Sequence, residues 1–231
     1  MSKTKYALVL SGGGFKGAFQ IGAINYIKEN WKSITGLDGQ MHFDLIAGVS
    51  VGALNGSLLA MKKIDQLNHI WDRVSNEGAK VIYTSDYIGT QTHNGKVQIK
   101  LNLAGIKAKL LPKFELKISF LKTLQLLFSK QRKNDFLNYI LKIAGDELKE
   151  NMSGFKALAD NAPLKALLKE HLDLSEIKDS KFLSGFVSLV NGEYYGVVHS
   201  RYKNNEEFVN GVLASTVVPT IWPPVPEIKL Q

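Results

Sequence analysis

The 231-residue chain contains no cysteine. This excludes disulfides, thiol catalysis and cysteine-bound zinc, while leaving the compartment open. No apolar run reaches the ~18–20 residues that a membrane-spanning helix needs. No secretory leader is expected either. Lys3 and Lys5 precede only the short stretch Tyr6–Leu10, which runs straight into three glycines. The simplest expectation is a cytoplasmic protein with no signal peptide or transmembrane helix. Histidine is scarce, with five in the chain, and no pair has His-Glu-x-x-His or similar spacing, so no metal or cofactor is expected. Internal repeats and low-complexity tracts are absent. What remains is 45% hydrophobic and 22% charged, the balance of a folded globular chain long enough for one sizeable core. The net charge is +8, but it is not spread evenly. Residues 96–133 hold ten lysines and arginines against Glu115, so this basic segment carries more than the whole excess.

Short apolar runs alternate with helical patterns. Tyr6–Leu10 reads as a buried strand, Ala18–Asn30 as a helix, Phe43–Ala47 as a second strand and Val51–Met61 as a second helix. That alternation predicts an α/β fold, a three-layer sandwich around a mostly parallel central sheet. A further helix is expected from Asp65 to about Val74. Another should start at Asn161-Ala-Pro163, with Leu164, Leu167, Leu168 and Leu172 as its apolar face. Phe186–Val190 and Tyr194–Val198 flank Asn191-Gly192, a hairpin signal. Phe208–Ser215 is a last helix before a proline-rich end, Pro219–Pro226.

Two glycine motifs follow the first two strands. Gly48-Val-Ser50-Val-Gly52 matches G-x-S-x-G between a strand and a helix, the setting in which the serine becomes an exposed nucleophile. Gly52, Gly56 and Ala60 recur every four residues and would let the helix lie close on the sheet. Ser11-Gly12-Gly13-Gly14-Phe15-Lys16-Gly17 has two readings. Gly12-x-Gly14-x-x-Gly17 satisfies a dinucleotide fingerprint, which needs an acid at the end of the second strand. Asp38 has about the right distance but sits in a loop. Alternatively, the N–H groups of Gly12, Gly13 and Gly14 converge as an oxyanion hole, with Lys16 adding positive charge. If the two strands are neighbours, the glycine loop faces Ser50.

Together these residues resemble the patatin-like phospholipase family. Gly12 to Gly17 match its G-G-G-x-[RK]-G loop, and Gly48 to Gly52 its nucleophile motif. Ala53-Leu-Asn-Gly56, the helix start near Pro163-Leu164, Ala214–Pro219 and Pro223-Pro-Val225 are similar to further family stretches in the same order. The resemblance implies a serine acyl hydrolase acting on lipid or phospholipid esters, of phospholipase A or lysophospholipase type. Ser50 would be the nucleophile, with Gly12, Gly13 and Gly14 as the oxyanion hole and Lys16, Gly17, Gly48 and Gly52 in support.

The family's base is an aspartate in a D-G-[GA] motif beyond the proline-rich stretch. No aspartate follows Asp179 here. Asp44, Asp160, Asp173 and Asp179 do not fit the motif, and Asn210-Gly211 precedes its place. The expectation is a single patatin-like domain over residues 1–231, ending before a catalytic Asp that lies downstream. A catalytically incomplete lipid-binding homologue is the other outcome, beside the dinucleotide module. For a Ser–His–acid triad, His199 is the best placed histidine. The basic segment 96–133, read as a lid-like insertion, could touch anionic headgroups at about 1 kcal/mol per lysine. No nucleic-acid partner is expected, since no recognition motif accompanies the charge.

Overall fold

The computed structural model describes residues 4–93, 96–102, 157–219 and 221–231. In chain order these form β1 (Ala7–Leu10), α1 (Gly17–Glu29), α2 (Trp31–Thr35), β2 (Leu45–Val49), α3 (Val51–Ala60) and α4 (Ile64–Glu77). Then come β3 (Ile88–His93), β4 (Lys96–Leu101), α5 (Ala162–His171), β5 (Lys181–Val187), β6 (Tyr194–Val198) and α6 (Asn205–Thr216).

The central sheet has the order β1-β2-β5-β6. The β1–β2 and β2–β5 pairs are parallel and β5–β6 is antiparallel. Parallel neighbours need a crossover between them, and α1 with α2, then α3 onward, provide it. The expected α/β fold with a mostly parallel sheet is what forms. Leu10 is in register with Gly48, and Gly48 with Ser184, so β1 and β2 end side by side.

Burial alternates along the strands, as the pleat requires. In β2, Ile46 and Gly48 are buried while Leu45 and Val49 are exposed. The buried row faces α3 and α6. A side chain at Gly56 of α3 would touch both Ile46 and Phe182. Phe208 of α6 meets Phe182 edge-on at 6.0 Å. Every residue of α3 is buried, which is why its sequence is apolar all round instead of amphipathic. The next layer is amphipathic: α4 buries Ile64, Leu67, Ile70 and Val74, and α5 buries Leu164, Leu167 and Leu168. Val9, Val49, Val187 and Tyr194 remain exposed on the opposite sheet face.

Several boundaries moved. The helix expected from Phe208 starts at Asn205, because the Asn204 side chain accepts the Glu207 N–H at 3.0 Å and caps it. The strand expected from Phe186 starts at Lys181, where pairing with β2 begins, and its turn is longer than Asn191-Gly192. Ser188 N–H bonds the Glu193 carbonyl, and Gly192 N–H bonds the Ser188 carbonyl, each at 2.9 Å. The helix α2 and the β3–β4 hairpin were not foreseen. Only residues 96–102 of the basic segment are described, and 96–101 form β4. The remainder of that segment, with its lid-like reading, lies outside the described residues. Among the described residues, no helix is long and apolar enough to cross a membrane.

Candidate active site

The register of β1 with β2 brings the glycine loop and Ser50 to the same sheet end, the carboxyl end, where ligands bind in open α/β sheets. Ser50 lies between β2 and α3 with φ 57° and ψ −126°. A serine in such a conformation costs about 1–3 kcal/mol and persists only where its surroundings hold it. The two motif glycines explain how it is held. A Cβ on Gly48 would lie 2.1 Å from the Gly52 carbonyl oxygen. One on Gly52 would lie 2.2 Å from the Leu10 carbonyl oxygen. Both obstacles are backbone, so the turn closes this tightly only with glycine at each end.

A third element fixes the turn from the far side. The Ser50 N–H donates to Ser215 Oγ at 2.8 Å, and the Ser215 hydroxyl donates to the Gly185 carbonyl. Ser215 thus ties α6, β5 and the turn together. In the sequence it was only part of the Ala214–Pro219 resemblance.

The glycine loop stands against Ser50. A Cβ on Gly12 would lie 3.2 Å from Ser50 Cβ. Gly14 has φ 56° and opens onto the same cavity as Ser50. The Gly13 carbonyl accepts the Lys16 N–H at 3.2 Å, and Lys16 itself is exposed. Gly17 has a packing reason. A Cβ there would lie 2.2 Å from Val51 Cγ2 and 2.6 Å from the Trp71 ring, so glycine lets α1 start against α3 and α4. Fully buried Asn55 secures the same junction. Its Nδ2 donates to Gln20 Oε1 at 2.9 Å and to the Gly17 carbonyl at 3.3 Å, while its Oδ1 accepts the Trp71 indole N–H at 2.9 Å.

Ser50 opens onto a cavity of about 170 Å³, lined by Gly14, Phe15, Ser50, Val51, Leu54, Trp71, Ile82, Tyr83, Asn161, Leu164, Thr216, Val218 and Trp222. The wall is nearly all apolar. Tyr83 and Trp222 meet edge to face at 6.0 Å, and burial pushes the Tyr83 hydroxyl pKa up, so it stays neutral. Sequence reasoning named Ser50 and Gly14 but not the rest of this wall as a site. Its members come from α3, α4, α5, α6 and the loops beside them, and no spacing rule joins them.

The lining residues include no Asp, Glu or His. The carboxylates weighed from the sequence are engaged elsewhere. Asp44 accepts the Tyr6 N–H at 2.8 Å at the amino end of β2, which with nearby His42 holds its pKa down. Asp160 accepts the Ala162 N–H at 2.9 Å, Asp173 accepts from Ser175, and Asp179 pairs with Lys62. His199 Nδ1 accepts the Phe182 N–H at 3.1 Å, near the amino end of β5. Burial lowers its pKa, and it is a structural histidine far along the strand from the Ser50 end. The dinucleotide reading fares no better. Asp38 pairs with Lys32 at 2.6 Å before β2 begins, and β2 runs directly into Ser50 without an acid at its end. Among the described residues, no group of three His, Asp or Glu side chains could hold a metal ion.

No curated protein matches the chain. The family model described as patatin-like phospholipase matches residues 8–227, which span the glycine loop, the Ser50 turn and the Ser215 anchor. With nearly its whole length matched, the chain belongs to the patatin-like phospholipase family.

Proposed function

We propose that the protein is a serine acyl hydrolase of lipid esters with Ser50 as nucleophile. Membership of the family supports lipid acyl hydrolysis in general. The observation that carries the assignment to Ser50 is its strained turn, opening onto an apolar cavity with the glycine loop against it. In this reading the Ser50 Oγ adds to the ester carbonyl as its proton passes to a base. The carbonyl oxygen gains the negative charge and is held by backbone N–H groups of Gly12, Gly13 and Gly14, with Lys16 nearby. Losing one such donor typically costs about 10²–10³ in rate. The C–O bond to the leaving alcohol then breaks, the alcohol takes a proton, and the acyl group remains on Ser50. Water releases it as a fatty acid by the same steps. The apolar wall suits an acyl chain, since it offers burial but few hydrogen-bond partners.

In this reading the base is an aspartate from outside the described residues, as the family resemblance implies. The absence of any carboxylate or imidazole from the described lining favours a second reading, a lipid-binding homologue without turnover. One experiment separates them. Hydrolysis of an activated fatty ester is measured for the chain, for a form extended past Gln231, and for Ser50→Ala of each. Ser50-dependent turnover in the extended form supports the hydrolase. Fatty-acid binding with no Ser50-dependent turnover in either supports the binding homologue. The basic segment 96–133 is a proposed contact with anionic membranes. Neutralising four of its lysines should weaken vesicle binding at low salt, and unchanged binding would remove that role.

A further inference from the structure

The first helix after the glycine loop hides only part of its apolar surface. Ile21 and Ile24 point into the core, but Phe19 is 83% exposed and Tyr26 64% exposed. Phe15, half a turn before α1, is 43% exposed and also lines the Ser50 cavity. Phe15, Phe19 and Tyr26 fall at helical spacings of four and seven, so they share one outward face. Between them stand only Gly22 and Ala23, which leave the rings proud of the helix. No acid occurs from Gly14 to Lys28, with Glu29 at the far end of α1, and Lys16 stands exposed next to Phe15. Aromatic rings on a helix face with a cation at its margin suit the headgroup boundary of a bilayer.

We propose that this face of α1 docks on a lipid surface and brings the mouth of the Ser50 cavity against it. The proposal deepens the Ser50 reading, on which its catalytic purpose rests, by naming the source of substrate: lipid still in an aggregate, entering past Phe15. The stripe's continuity with the Ser50 cavity through Phe15 favours a lipid surface over a second copy of the chain.

The test uses Phe19→Ser and Tyr26→Ser together, both exposed and neither lining the cavity. Sedimentation with phosphatidylcholine vesicles at 0.5 M salt suppresses the contribution of surface lysines and isolates the apolar stripe. The double variant should lose at least about tenfold in vesicle partitioning, since burying one large side chain is already worth that much. Its melting temperature and its turnover of a soluble short-chain ester should match the parent. Unchanged partitioning overturns the proposal. So does a concentration-dependent dimer that the double variant abolishes, which would assign the face to a second copy. Absence of Ser50-dependent turnover would sink the hydrolase reading but leave the partitioning result standing on its own.

Discussion

Ser215→Ala removes one oxygen and leaves the shape of the site intact. That hydroxyl nonetheless links α6 to the Ser50 turn by hydrogen bonding, its oxygen accepting the Ser50 N–H at 2.8 Å while it donates to the Gly185 carbonyl. Ser215 is only 8% exposed, so water cannot readily take its place. An unpaired buried N–H costs about 1–3 kcal/mol, and the second lost bond adds about 0.5–1.5 kcal/mol. The expected destabilisation is about 2–4 kcal/mol, at about 2–4 °C of melting temperature per kcal/mol for a chain of this size. The turn should suffer further, because a serine at φ 57° stays there only while held. Chemical denaturation of the variant beside its parent reads the stability. Ser50-dependent ester hydrolysis, where present, reads the geometry and should fall more than the unfolded fraction explains. A loss below about 0.5 kcal/mol with unchanged hydrolysis would refute the claim that Ser215 holds the turn.

Gly52→Ala places a methyl 2.2 Å from the Leu10 carbonyl oxygen and should abolish soluble expression or cost more than about 3 kcal/mol; near-parental denaturation would contradict the close approach of α3 to β1. Ser50→Gly should abolish hydrolysis yet raise stability by about 1 kcal/mol, because glycine tolerates the positive φ; a less stable variant would argue against strain at Ser50. Burial pushes the pKa of Tyr202 up to about 12, against the opposing effect of its hydrogen bond to Ser184 at 2.7 Å. The folded chain therefore keeps this proton where the unfolded chain loses it, so stability falls as pH rises from 10 to 12, by about 2–3 kcal/mol. Tyr202→Phe should flatten that decline, measured by denaturation across the alkaline range, and an equally steep decline would exclude the tyrosine as its source.

Local patterns carried much of this protein. The strand–glycine–helix order dictates a parallel sheet with both motifs at one end, because each crossover returns the chain in the same direction. The pattern also placed α3, α4 and α5 within a few residues, since apolar periodicity and Pro163 are local signals. Ser50 was legible because the turn demands glycine at Gly48 and Gly52. Asn55, Ser215 and the aromatic wall of Trp71, Tyr83 and Trp222 were not. Their significance depends on which elements the fold brings together, and the Ser50–Ser215 bond spans 165 residues. The histidine and carboxylates weighed for catalysis were dispersed by the same tertiary arrangement, into caps, ion pairs and the far end of a strand. Sequence alone determined the strand-to-helix turn and put Ser50 at its tip. Only the packing of α1, α3, α4, α5 and α6 around that turn decided what Ser50 faces, because a cavity is bounded by residues that share space and not sequence.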